Sequence, residues 1–320
     1  MQRFKAVEGS AYREVLPARA QFLHLLGHLA GKWPHTLAIQ PGGSTRALEE
    51  GEPMRLLALL GAFRRFLERT LFGDTLEAVA ALDGSAALAR WAGEMGGGDL
   101  RRFLEVADEL QLDRLGRGAG RWMSYGAYPD GVGGWHLPRG LWAGGAAAEL
   151  DLTAITEDIS HSWMAGPVEP LSPADGVTLP TEEKAGAYSW CKAPRLGGEI
   201  VETGALARQM VAGHPLVRDL AGASGGDVRS RVVARLLELA LLVPQMERWV
   251  HALEPGAPFC RQGQMPAEAV GVGTAEAARG ALGHWLEVRR GRIYRYQIIA
   301  PTTWNFSPRD VAGRPGPLGR

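Results

Sequence analysis

From Val15 to Lys32 apolar residues recur at spacings of three and four: Phe22, Leu25, Leu26 and Leu29. That period predicts an amphipathic helix. A second helix is expected from Pro53, with Leu56, Leu59, Leu60, Phe63 and Leu67 as its stripe and Gly73 as its stop. Asp83 to Trp91 and Asp99 to Leu112 read as two more, separated by the glycines at 96–98. Arg229 to Leu253 reads as a long helix striped by Val232, Leu236, Leu239, Leu242 and Val243, with a kink expected at Pro244. Such stripes predict ordinary core packing.

Elsewhere the period changes. Arg121 to Pro138 is rich in glycine and aromatics and reads as short strands and loops, followed by a strand and turn at LWAGG. Leu286 and Val288 flank Glu287, and Tyr294, Tyr296 and Ile298 alternate with Arg295 and Gln297. A period of two is the strand signature. Arg290-Gly291 supplies the turn between them. A two-residue loop pairs Arg289 with Arg292, and pairing extended backward sets Arg279 opposite Thr302; a longer loop shifts this by a residue or two. The fold class expected is α+β, predominantly helical, in a single domain over residues 1–320.

Composition narrows the partners. The chain has 320 residues, with 35 Lys+Arg against 35 Asp+Glu. A chain without a basic excess does not predict a nucleic-acid partner. Neutrality near pH 7 weakens colloidal repulsion and fits a protein that works inside complexes. No apolar run reaches the ~18 residues of a membrane helix. The N-terminal MQRFKAVEGSAYREV has neither an apolar signal core nor a twin-arginine pair, so a cytoplasmic protein is expected. Only two cysteines occur, Cys191 and Cys260, far apart in sequence. That predicts no disulfide framework and no four-thiolate metal site from this chain alone.

Candidate chemistry concentrates around Arg279 and Pro301–Thr303. Arg279 offers a fork of five donors. Thr302 and Thr303 offer hydroxyls and backbone N–H groups, and Pro301 fixes the backbone beside them. Convergent donors beside apolar surface suit a small anion or a metal-bound anionic ligand. The same residues also read as a tied-off hairpin end with Arg279 paired to a carboxylate such as Asp310, and spacing alone favours that. His24 and His28, at i and i+4, lack a third ligand nearby and read as polar-face histidines. His35 could bond a neighbouring loop, without a catalytic role, and His161 reads as a buried histidine fixing a loop to a carboxylate. Cys191 precedes Lys192, whose ammonium would depress the thiol pKa if close; it reads as a thiolate metal ligand or as a small buried side chain. Cys260, in a loop, reads as an exchangeable metal ligand or as a bystander.

Several stretches together resemble the large subunit of nickel–iron hydrogenases. EAARGALGHW (276–285) and PTTWNFSPRD (301–310) match that family's EAPRGALGHW and P-[ST]-TWN-x-x-PRD. Within AYSWCKAPRLGGEIVETGALAR (187–208) lie its YSW-x-KAPR and E-V-GPLAR. ITEDISHSW (155–163) and GKWPHTLAIQPGG (31–43) also correspond. Departures are Ala278 for Pro, Thr203 for Val, Ala205 for Pro, and Cys191 where catalytic members usually lack Cys. The resemblance runs from about Gln21 to Gly316 and implies a helix bundle with short β-hairpins. It also implies that Arg279, Pro301 and Thr302 surround an iron carrying cyanide and carbonyl ligands. The family's CGIC and DPC-x-x-C metal-ligand elements have no counterpart here, so no nickel and no hydrogen cleavage by this polypeptide alone are expected.

A branch of the family with reduced cysteine content, the HupK/HoxV-type accessory proteins, fits this pattern. The function implied is a non-catalytic maturation scaffold for the iron–cyanide–carbonyl unit of an uptake hydrogenase. Its partners would be hydrogenase maturation proteins and the hydrogenase large subunit, with Cys191 or Cys260 as an optional iron ligand. The alternatives are an incomplete catalytic large subunit and a metal-free structural subunit akin to the quinone-binding subunit of respiratory complex I.

Overall fold

The computed structural model describes residues 2–94, 97–222 and 224–319. They divide into two compact units. The first takes the chain through Ala81, then Trp91–Phe103 and Leu236–Gln264. The second takes Leu82–Arg90, Leu104–Arg235 and the chain from Met265 onward.

The first unit is helical, as its stripes predict. Ser10–Ala30 is one helix, longer at its start than the apolar period indicates and carrying Pro17 inside; it ends at Gly31 with φ 73°. Glu52–Phe66 follows, with proline in its first turn. A π-helical turn, Leu67–Phe72, carries it on to Gly73, whose φ of 70° closes it where expected. Leu25, Leu56, Leu60 and Val250 form the buried core. Phe22 stacks on Phe63 with ring centroids 4.1 Å apart. Arg64 ties the surface together, reaching Glu68 at 3.0 Å, Glu247 at 2.8 Å, and Glu77. The long helix observed is Val228–His251, which continues through Pro244.

The second unit rests on sheets. One is a three-stranded antiparallel sheet of Ala269–Ala277, Gly280–Arg289 and Arg292–Ile299. Arg289 pairs with Arg292 as expected, across a turn in which Arg290 (φ 52°) and Gly291 (φ 69°) are both left-handed. That is the mirror-image turn that matches strand twist. The strand Ala269–Ala277 has no counterpart in the sequence reading, because Gly271 and Gly273 interrupt its apolar alternation.

A bulge between Glu287 and Val288 shifts the register, and pairing ends at Gly283 with Ile299. Arg279 therefore does not lie opposite Thr302 in the sheet. It sits with Ala278 in the two-residue turn between Ala277 and Gly280.

A second three-stranded sheet joins Arg121–Pro129, Trp135–Ala143 and Ala146–Ala148. The segment read as short strands and loops is thus two nine-residue strands. Gly126 is a strand position kept small by packing, since a Cβ there would come within 2.6 Å of the Trp135 ring. The chain is mixed α+β, with more sheet than the predominantly helical fold its stripes suggest.

The core of this unit gathers Met123, Tyr125, Ile155, Leu196, Val201, Trp285, Ile299 and Trp304. The charged groups Arg195 and Lys192, buried in this unit, are paired. Arg195 is 2% exposed, and each of its five N–H donors has an acceptor. Nε donates to Asp310 Oδ2 at 3.0 Å, Nη1 to Pro194 O and Ser307 Oγ, and Nη2 to Pro308 O and Arg314 O. Asp310 also accepts from the backbone N–H groups of Ala312 and Arg314. Lys192 bonds Glu157 at 3.3 Å and Gln297 at 3.1 Å. Burial pushes the Glu157 carboxyl above its ordinary range despite that ammonium.

Removing one partner of a buried, hydrogen-bonded ion pair leaves the other charge stranded. Asp310→Ala is therefore expected to destabilise the second unit by about 3–5 kcal/mol in urea unfolding. Burial pushes the Asp310 carboxyl up, but the Arg314 backbone N–H and the Arg195 guanidinium outweigh it and hold it below the ordinary 3.8. A depressed carboxyl contributes stability above its unfolded pKa and loses it as pH falls through the folded value. The gap between wild type and Asp310→Asn should hold at neutral pH and narrow below pH 3.8.

Candidate anion-binding site

Three walls of the second unit enclose a cavity of about 180 Å³. The first wall is the Ala278–Arg279 hairpin turn, resting on the backbone of Thr203 and Gly204. Gly280 has φ 129°, and a Cβ there would lie 2.4 Å from Thr203 Oγ1 and 2.6 Å from Gly204 N. Arg208, in the helix Ala205–Ala212, pins the turn from behind. Its Nη1 donates to Glu276 Oε2 at 2.8 Å and to Ala277 O at 3.0 Å, and its Nη2 to Ala278 O at 3.4 Å. Glu276 in turn accepts from Tyr125 N at 2.8 Å.

The second wall is the short helix Pro301–Asn305. Proline suits its first position because the N–H it lacks would have no helical partner there. Asn305 holds Thr203 by both backbone groups, accepting from its N–H at 3.1 Å and donating to its carbonyl at 3.0 Å. Trp304, 1% exposed, anchors this helix in the core. The third wall is the helix carrying Arg231 and Arg235, which share a face at i and i+4. Arg231 is neutralised by Glu202 through bonds of 2.6 and 2.8 Å. Burial works against its charge, and Glu202 more than offsets this and raises its pKa. Arg235 makes one long bond, 3.5 Å, to Ala278 O.

Arg279 and Thr302 both line this cavity and are both exposed. Neither side chain has a hydrogen-bond or ion-pair partner among the described residues. Asp310, the carboxylate that could have tied Arg279 down, belongs to Arg195 and Arg314. With the Arg231–Glu202 pair balanced, Arg235 and Arg279 leave the cavity net cationic. Pro301 is buried beside Thr302 and does not itself line the cavity.

The two cysteines lie elsewhere. Cys191 is in the second unit, where its backbone is held by Ser189 and Ser162. The Lys192 ammonium, which would bear on the thiol only if close to it, bonds Glu157 and Gln297. Cys260 is in the first unit, its Sγ 3.9 Å from Pro41 O. No group of three His, Cys, Asp or Glu side chains among the described residues could hold a metal ion. His161 is half-buried, and its Nδ1 meets the Arg309 carbonyl at 3.1 Å rather than a carboxylate. Sequence reading quoted Thr203 and Asn305 within motifs without giving them a role. It missed Arg235, although its i+4 spacing from Arg231 is visible in the sequence.

Residues 5–320 match the family model described as nickel-dependent hydrogenase. The chain belongs to this family. It is 32% identical to the periplasmic [NiFeSe] hydrogenase large subunit of Desulfomicrobium baculatum, over 61% of this chain and 42% of that protein. It is likewise 32% identical to the uptake hydrogenase large subunit of Rhodobacter capsulatus, over 61% of this chain and 41% of that protein. Among solved structures it is similar to the reduced Ni-Fe-Se hydrogenase of D. vulgaris Hildenborough, with TM-score 0.80 and 27% identity over 97% of this chain and 63% of that one. The hydrogenase large-subunit fold is therefore shared, while this chain spans about two fifths of these curated relatives. No helix among the described residues is long and apolar enough to cross a membrane.

The geometry makes one glycine critical and another dispensable. Gly280→Ala combines a left-handed φ with a clash against backbone, and should cost about 1–3 kcal/mol of stability in thermal unfolding. Gly271→Ala, where an added Cβ meets nothing within 4 Å, should leave the melting temperature unchanged or slightly raised. Equal effects at both positions would show that the hairpin turn does not rest on Thr203 and Gly204.

Proposed function

We propose that this chain is a non-catalytic relative of the hydrogenase large subunit. In this reading it cradles an iron–cyanide–carbonyl unit as cargo while that unit is assembled or passed on. The observation that carries the reading is the pair of unengaged donors, Arg279 and Thr302, facing one cationic cavity. The donor set fits the cargo's anionic, acceptor-rich ligands. Arg279 would donate through its guanidinium fork, Thr302 through its hydroxyl, and Arg235 would add positive charge. Pro301 sets the backbone from which Thr302 projects.

Charge-assisted hydrogen bonds of this kind contribute roughly 1.5–3 kcal/mol each. Two or three can orient a cargo but hold it loosely, which suits a carrier. No thiolate lines the cavity among the described residues, so retention through a metal–sulfur bond would need a cysteine from outside them. The partners of this reading are the hydrogenase maturation proteins and the large subunit that receives the unit, in the cytoplasm.

The coverage of the relatives supports a second reading, in which this chain is one portion of a large subunit whose other portions supply the thiolates. An in-frame CGIC upstream and DPC-x-x-C downstream in the gene would favour it.

The carrier reading is tested by infrared spectroscopy on protein coexpressed with the maturation machinery. Wild type should show cyanide and carbonyl stretching bands, and Arg279→Ala with Thr302→Val together should cut their intensity roughly ten-fold or more. Bands of equal strength in the double variant, or none in wild type, would reject it.

A further inference from the structure

The first helices of the first unit are incompletely covered. Of its 21 residues, all described, Ser10–Ala30 buries only Leu25, whereas a helix packed in a core hides a whole apolar stripe. Between it and Glu52–Phe66 runs a groove of about 340 Å³, lined by Pro17 and Phe22 from one helix and Phe63 and Phe66 from the other. Phe22 stacks on Phe63, and Phe63 on Phe66 with centroids 6.2 Å apart, so three half-buried rings stand in a row. Both walls depart from regular helix here. Pro17 has no N–H to give the Arg13 carbonyl. The π-helical turn Leu67–Phe72 begins directly after Phe66, and such turns are rare and recur at functional sites. Arg65 and Arg69, exposed and a helical turn apart, also line the groove and make no hydrogen bond or ion pair among the described residues. Glu14 lines it too but does not neutralise them, because both its oxygens accept from Arg3 at 2.8 Å. Arg3 holds that carboxyl below its ordinary range, and Arg69 adds only the smallest part. Arg3 and Arg102 together balance Glu14 and Asp99. The groove is apolar along its rings and cationic at its rim.

We infer that this groove is the docking site for an amphipathic, acidic helix of a partner protein. The partner's apolar side chains lie on the three rings, and its carboxylates meet Arg65 and Arg69. Helix-in-groove recognition requires those two features together, and a third helix covers a helix pair by packing its ridges between theirs. Charge sets the sign of the partner. A second copy presenting this same face would set four uncompensated guanidiniums against one another, and like charges across an interface exclude a partner. A small amphiphilic acid would answer the charge but leave most of Ser10–Ala30 uncovered. The site is made entirely by the first unit, and the inference does not rest on the anion-binding reading proposed above.

The test is fluorescence anisotropy of a labelled synthetic helix, with leucine at every third or fourth position and glutamate on both flanks, titrated with the full chain. Wild type should bind it saturably, and more weakly as salt rises. Amide-exchange protection should appear over residues 14–22 and 59–69. The same helix with lysine for glutamate should bind roughly ten-fold more weakly or worse. Arg65→Ala with Arg69→Ala, both exposed and unengaged, should weaken binding of the glutamate helix roughly five-fold and remove its salt dependence. Ala62→Glu, which sets a carboxylate in the groove, should lose binding; Gln21→Glu, exposed on the opposite wall, replaces it if that variant fails to fold. Equal binding of the lysine helix, or unchanged affinity and salt dependence in the double arginine variant, overturns the inference. So does saturable binding of decanoate where the helix does not bind, which marks a pocket for a small amphiphile. A dimer of the full chain that Ala62→Glu dissociates also overturns it, by giving the groove to a second copy.

Discussion

A guanidinium buried at the level of Arg195 is tolerable only when every N–H it carries has an acceptor, because the desolvation of its charge is otherwise uncompensated. Its five acceptors come from its own strand and from the stretch 307–314. That requirement brings together two segments more than a hundred residues apart. Once Asp310 is fixed, the helix Pro301–Asn305 just before it has little freedom, and Trp304 enters the core beside Trp285. Asn305 then reaches Thr203, Thr203 abuts Gly280, and Gly280 is the neighbour of Arg279. The cavity is the far end of this sequence of satisfied polar groups.

Arg208 and Arg279 show how one residue type divides its work. Arg208 is buried and its donors build the wall, on Glu276 and on the carbonyls of the turn. Arg279, carried by that same turn, is exposed and has no partner among the described residues. A guanidinium that rigidifies its surroundings is unavailable to a ligand, and one that awaits a ligand contributes little to stability. Holding Arg279 ready therefore falls to Arg208, Gly280 and Asn305. Membership of the hydrogenase family agrees with this division, since the matched motifs include both the supporting residues and the cavity-facing ones.

Much of the architecture could be read before any coordinates. The stripes at Leu56 and Leu60 did become a core, Gly73 did end its helix, and Arg290-Gly291 did turn the hairpin. Those features depend on residues close in sequence, where periodicity and glycine conformation act locally. The strand Ala269–Ala277 escaped notice because its glycines erase the period of two, and the strands on either side of residue 130 read as shorter than they are because glycine at 126 answers to Trp135. The bulge at Glu287 defeated the extrapolated pairing of Arg279 with Thr302. The Lys192 ammonium, adjacent to Cys191 in sequence, bonds Glu157.

By itself the sequence determined the helix stripes, the hairpin turn, the family likeness and the residue types available for chemistry, because each is written in short spacings and local backbone preference. Tertiary structure alone decided which donors are consumed and which remain. Whether Asp310 serves Arg195 or Arg279 depends on distances between segments remote along the chain. Burial sets the penalty for leaving any of them unpaired, and burial is a property of the packed molecule rather than of any stretch of it.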